Sequence, residues 1–192
     1  MERLTFSFEG PLTRVIFFPT TGWYKHIQPI IIPQIRFGKS LEILNIYHLL
    51  FFSEEINVLV LSSLSMTRIF YDIETEGLSK SKTLPSSDEF DVATCCTLAD
   101  IDFDGNQEIL IGTYGEQVLV YKQDELNKKW SLQWTKSFNN PIHNIFHLDL
   151  TGDGVKDLFL VTLKTVIILQ HDYEKVGELV EKRYQNSAIL QE

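Results

Sequence analysis

Apolar residues in this chain come in short runs closed off by Gly, Asp, Asn, Ser or Pro, a pattern that predicts β-strands and turns. Ile109-Leu-Ile-Gly-Thr113 and Val118-Leu-Val-Tyr121 flank a Gly-containing turn and read as a β-hairpin. Leu158–Thr162 and Val166–Leu169 repeat it with a shorter turn, and Val58–Tyr71 gives a third copy. A further strand leads into each hairpin: Phe8–Phe17, Phe90–Leu98 and Phe138–His147. Ser131–Phe138 reads as an outer strand between units. Four short strands in roughly 50 residues is the period of a β-propeller blade. The expected fold is therefore all-β, a partial β-propeller of about three blades over residues 8–89, 90–137 and 138–171. Closed propellers have about four to eight blades, so the pattern reads as part of a longer or shared ring with open edges. Helical spacing occurs after the last hairpin. Over Asp172–Tyr184, residues Tyr173, Val176, Val180 and Tyr184 form a stripe with Leu179 beside it, while Glu174, Glu178 and Glu181 face out. Residues 172–192 are thus expected to be a helix and tail, packed on the propeller rim or continuing into a partner.

The most chemical feature lies inside the repeat. Asp100-Ile-Asp-Phe-Asp-Gly-Asn-Gln-Glu108 is echoed by Asp149-Leu-Thr-Gly-Asp-Gly-Val-Lys-Asp157, with Asp149, Asp153, Gly154 and Asp157 under Asp100, Asp104, Gly105 and Glu108. Oxygens at alternating positions of a tight loop converge on one hard cation, and Gly permits the reversal. Asp100, Asp102, Asp104, the Asn106 carbonyl and Glu108 make a candidate structural Ca²⁺ set. The closing acid stands at position 9, and a strand follows, so the loop is not an EF-hand. The second copy has Thr151 in place of Asp102. Capping of a turn by Asp and Gly explains it adequately.

Charge divides the chain. Residues 1–71 hold six Lys/Arg against five Asp/Glu, and residues 72–192 hold 11 against 21. The second part repels phosphate, which argues against nucleic acid and against direct docking on anionic lipid. Glu2, Arg3 and Glu9 interrupt any early apolar run, so no signal peptide is read. Ile43–Leu61 is broken by Ser53-Glu54-Glu55 and is not a membrane span. The 44% hydrophobic and 12% aromatic content is that of a globular chain. The adjacent Cys95 and Cys96 point to opposite faces of a strand and form neither a metal pair nor an ordinary disulfide, so one is expected inside. A cytosolic setting follows. His143 and His147 fall too far apart on a strand to share zinc. Trp130, Trp134 and Phe138 alternate like a packing face. No Ser/His/Asp elbow, P-loop or paired catalytic carboxylates are present, and no catalytic residue is assigned.

The runs Phe90–Gly105, Gly112–Gly115, Leu132–Phe138, His147–Gly154 and Ile168–His171 closely resemble the C-terminal part of the kaptin family, FG-GAP-like propeller proteins of the KICSTOR complex. The resemblance covers Glu9–Phe18 and Ile56–Gln185. It implies a non-enzymatic scaffold whose partners are other KICSTOR subunits, including a sister FG-GAP propeller, and the GATOR complex. It implies a peripheral place on the lysosomal surface and silencing of TOR signalling when nutrients are scarce. An actin-filament adaptor is the alternative, and a secreted Ca²⁺-dependent adhesion propeller a more distant one. The family pattern breaks at residues 19–55, where Pro19, Pro29 and Pro33 fall within a stretch that has no acid between Glu9 and Glu42. That segment reads as an irregular insertion or as translated non-coding sequence.

Overall fold

The computed structural model describes residues 3–7, 11–19, 40–44 and 56–189. Thirteen strands and one helix occur among them. β1 (Arg3–Ser7) and β3 (Ser40–Leu44) form a separate antiparallel pair. Three antiparallel sheets follow in chain order. The first is β2 (Leu12–Pro19), β4 (Ile56–Ser62), β5 (Arg68–Phe70) and β6 (Ser81–Thr83). The second is β7 (Ala93–Ala99), β8 (Glu108–Thr113), β9 (Gln117–Gln123) and β10 (Trp130–Ser137). The third has three strands, β11 (Ile142–Leu148), β12 (Asp157–Thr162) and β13 (Val166–Leu169), and α1 (Tyr173–Ile189) comes after it. Each sheet is a meander in which every strand pairs with its sequence neighbour, and the leading strands β2, β7 and β11 lie against one another. This is the arrangement of propeller blades around an axis.

The repeats are visible in detail. Each leading strand carries one register shift near its start, between Leu12 and Arg14, between Ala93 and Cys95, and between Ile142 and Asn144. A bulge at the same place in three blades adds local twist where each blade begins. The central strands β4 and β8 are buried over their whole length, β8 because blades one and three cover both of its faces. Near-continuous apolar runs such as Val58-Leu-Val-Leu61 are the result.

One core joins the first two blades, with Ile16, Leu59, Leu61 and Ile69 packed against Cys96, Leu98, Ile109, Ile111 and Tyr121. A second joins blades two and three, with Cys95, Leu110, Val118 and Val120 against Ile142, Ile145, Leu158 and Leu160. A third, with Val15, Phe17, Val58 and Phe70, covers the far face of blade one. Both cysteines are therefore buried, one in each of the first two cores, where one alone was expected inside. The opposite-faces argument held. What it missed is that both faces of a middle blade are interior. Burial pushes the Cys95 thiol up to about 11 and the Cys96 thiol well above its ordinary value.

Two further expectations change. Within the segment 19–55, Ser40–Leu44 is a strand, and Pro19 closes β2; the rest of that segment lies outside the described residues. Trp130, Trp134 and Phe138 do not share one packing face. A bulge between Leu132 and Trp134 breaks the alternation, so Trp130 and Leu132 pack on the first core, Phe138 on the second, and Trp134 is exposed. The helix forms as predicted, with Asp172 accepting from the Glu174 amide at its start. Its stripe, however, is not buried on the blades: Tyr173, Leu179 and Val180 are exposed.

Candidate functional site

The loop from Asp100 to Gln107 joins β7 to β8 and is held by its own carboxylates. Asp100 Oδ2 accepts from the Gly105 amide at 3.0 Å, and Glu108 Oε2 accepts from the Ile101 amide at 3.0 Å. Asp102 Oδ1 accepts from the Asp104 amide at 3.2 Å, and Asp104 Oδ1 from the Asn106 amide at 2.7 Å. Phe103 and Gly105 both take positive φ, 59° and 95°, which turns the chain sharply enough for these contacts. The Phe103 ring sits 4.6 Å from His171, just before α1.

The sequence-derived set is brought together in part. Asp100, Asp102 and Glu108 each bring a carboxylate oxygen within 4.8 Å of the others, close enough to suit a hard cation. Asp104 joins the same cluster through Lys122, and the Asn106 side-chain amide, as distinct from the backbone carbonyl read as a ligand, donates to Glu125 at 3.0 Å. The residue that sequence reasoning missed is Lys122. Its Nζ is in direct contact with Asp102, 2.5 Å from Asp104 and 3.3 Å from Glu108. The signal was available in the register. Ile109 faces Tyr121 across β8 and β9, so the next position puts Lys122 beside Glu108 at the foot of the loop.

The electrostatics follow this geometry. Burial and the neighbouring carboxylates Asp104 and Asp102 push the Asp100 carboxyl up. Burial likewise raises Glu108, which is nearly inaccessible at 2% exposure. Burial also acts to raise Asp104, but hydrogen bonds from Lys122 and Asn106 outweigh it and leave that carboxyl below its ordinary range. Burial opposes the Lys122 charge, and contact with Asp102, Asp104 and Glu108 overcomes it, so its ammonium is held charged more firmly than usual.

The second loop is the same turn without a base. Asp149 accepts from the amides of Gly152 at 2.7 Å and Gly154 at 2.9 Å, and Asp153 from Val155 at 2.8 Å. Leu158 faces Leu169 across β12 and β13, so Gln170 stands where Lys122 stands in blade two, and its Nε2 lies 3.4 Å from the buried Asp157. Among the described residues no basic side chain pairs with these carboxylates. His143 is exposed and His147 half-buried; burial, with Lys156 and His171 nearby, lowers His147 to about 4.

A pocket of about 80 Å³ lies between blades one and two, lined by Phe18, Asn57 and Tyr71 from blade one and by Leu98, Gln123 and Trp130 from blade two. No helix among the described residues is long and apolar enough to cross a membrane.

Comparison with known proteins accords with the blades and loops. The model of the family described as KICSTOR complex protein kaptin matches residues 1–181. The mouse (Mus musculus) protein of that description is 39% identical over 133 residues, which are 68% of this chain and 31% of the relative. The chain thus spans about a third of the length of that relative. With the family match running through all three blades and into α1, the chain belongs to the kaptin family.

Proposed function

We propose that this chain is part of a non-catalytic scaffold subunit of a KICSTOR-type complex. In this reading it helps recruit the GATOR complex to lysosomes and so restrains TORC1 signalling when amino acids or glucose are scarce. The observation that carries the reading is the family match over residues 1–181. The surfaces support it. Blade three exposes Phe146, Leu148, Val166 and Ile168, and α1 exposes Tyr173, Leu179 and Val180. Contiguous exposed apolar residues mark protein contacts, and interfaces of lasting complexes are apolar at their centre. The loop carboxylates, by contrast, mostly accept backbone amides, and at 100–108 three of them also contact Lys122, with the buried Asp100 Oδ1 left without a hydrogen-bond partner. The partners, other KICSTOR subunits with a sister propeller among them, therefore meet blade three or the helix and not the Asp loops.

The experiment is co-purification of the full-length protein with those subunits from fed and from starved cells, together with TORC1 activity in cells lacking it. Recovery in both states, and TORC1 activity that stays high in starvation after its loss, are expected. Normal TORC1 shut-off without the protein overturns the reading. Co-sedimentation with actin filaments at physiological salt would then favour the adaptor alternative.

A further inference from the structure

We propose that Lys122 is the resident cation of the loop 100–108, and that the loop so closed fixes the base of helix α1. Three observations converge on this. The ammonium touches three carboxylates of one turn, Asp102, Asp104 and Glu108, and its side chain is mostly withdrawn from solvent. Clustered carboxylates repel one another, and a charge at their centre offsets that repulsion whether it comes from a metal ion or from an ammonium group. Lys122 stands on the rigid strand β9 and needs no ligand from solution, so the loop closes without a divalent ion. The repeat supplies an internal comparison, because Gln170 takes the same register position in blade three and, among the described residues, no basic side chain pairs with the carboxylates there.

The consequence reaches the helix. Phe103 lies between Asp102 and Asp104, the two carboxylates in closest contact with the ammonium, and is held at φ 59°, unusual for a non-glycine residue. Its ring packs on His171, directly before the Asp172 cap and Tyr173, the first residue of α1. Lys122 thus acts as a positioning residue for α1 through the loop and the Phe103–His171 contact.

The test compares the wild-type chain with Lys122→Gln, which installs the residue of blade three, and with Lys122→Arg. All are measured in an Asp149→Asn background so that the second loop does not contribute a Ca²⁺ response. The lysine form is expected to melt at the same temperature with and without millimolar Ca²⁺. Lys122→Gln is expected to melt several degrees lower without Ca²⁺ and to recover when Ca²⁺ is added, by mass action on the vacated carboxylates. Lys122→Arg should behave as wild type. Hydrogen exchange gives a second readout: the Gly105 and Val176 amides should exchange about tenfold faster or more in the Gln variant, in keeping with loss of charged contacts. A Ca²⁺-dependent rise in the lysine form would overturn the proposal, and that measurement stands even if Lys122→Gln does not fold. A Gln variant as stable as wild type, or one that Ca²⁺ does not rescue, would overturn it as well. Unchanged exchange at Val176 would overturn the link to α1.

Discussion

Gly112 sits in β8 at the junction of blades two and three, and a methyl group added there has nowhere to go. An alanine Cβ would lie 2.6 Å from Cys95 Sγ and 2.6 Å from Ile142 Cγ2, both on fully buried side chains. Neither neighbour is the free end of a flexible chain, so relief requires blade three to move away from blade two. Overpacking of this kind costs about 1–3 kcal/mol. Gly→Ala at a position without positive φ recovers about 0.4–1 kcal/mol by restricting the unfolded chain. The net destabilisation expected for Gly112→Ala is about 1–2 kcal/mol, a fall in Tm of roughly 2–8 °C for a chain of this size. Thermal and denaturant unfolding followed by circular dichroism measures it. A double-mutant cycle then tests the cause. Ile142→Ala alone should cost about 2–5 kcal/mol by opening a cavity. In combination the two changes should cost less than their sum by about 0.5–2 kcal/mol, because the truncated side chain makes room for the new methyl. An unchanged or raised Tm for Gly112→Ala, or strict additivity with Ile142→Ala, would refute the close approach of the two blades at this glycine.

Two further outcomes are expected. Tyr121→Phe removes the hydroxyl that donates to the Pro85 carbonyl at 3.0 Å and ties blade two to the segment after β6; it should cost about 1 kcal/mol, and a loss below the precision of chemical denaturation would refute that role. His147, lowered to about 4 by burial with Lys156 and His171 nearby, is neutral in the fold while the unfolded chain takes up a proton near its ordinary value of 6.5. Its contribution is therefore fully present above pH 6.5 and lost as pH falls towards 4, so His147→Gln should lose less stability over that window, by about 1–2 kcal/mol after discounting for the ring's partial exposure. Parallel pH profiles of the two proteins would refute it.

How much of this was legible in the sequence depended on how local the determining contact is. The hairpins of blades two and three were readable because the period of a strand and the turn residues Tyr114-Gly115 act within a dozen residues. The Asp loop was readable for the same reason, since Asp100, Gly105 and Glu108 bond to their own turn. Lys122 was not singled out, because its position follows from pairing register across β8 and β9 and not from spacing within the loop. The bulge at Leu132–Trp134 similarly moved Trp134 off the face that simple alternation gave it. Ser40–Leu44 was missed for a stronger reason: it pairs with Arg3–Ser7, far away in the chain, with no turn signal joining them. The amphipathic helix was legible, but its partner was not, because a stripe states that something covers it without stating what.

The polar and apolar groups of this molecule differ in what they leave exposed, and the proposed partner contact rests on that difference. At the first Asp loop, Asp100, Asp102, Asp104 and Glu108 accept backbone amides, and Lys122 contacts three of the four. Such a loop holds a shape. On blade three and α1 the exposed apolar residues include Phe146, Leu148, Val166, Ile168, Leu179 and Val180, whose stabilisation comes only from removal from water. Association driven by those residues should depend weakly on salt. The acidic excess over residues 72–192 instead acts at longer range, favouring basic partner surfaces and raising the rate of encounter at low ionic strength. Substituting Leu179 and Val180 by Asp should therefore abolish co-purification with partner subunits while leaving the melting temperature near that of the wild type, since neither side chain is buried on the blades. Retained co-purification would show that contact is made through blade three alone, and the same exchange at Val166 and Ile168 would then be the substitution that breaks it.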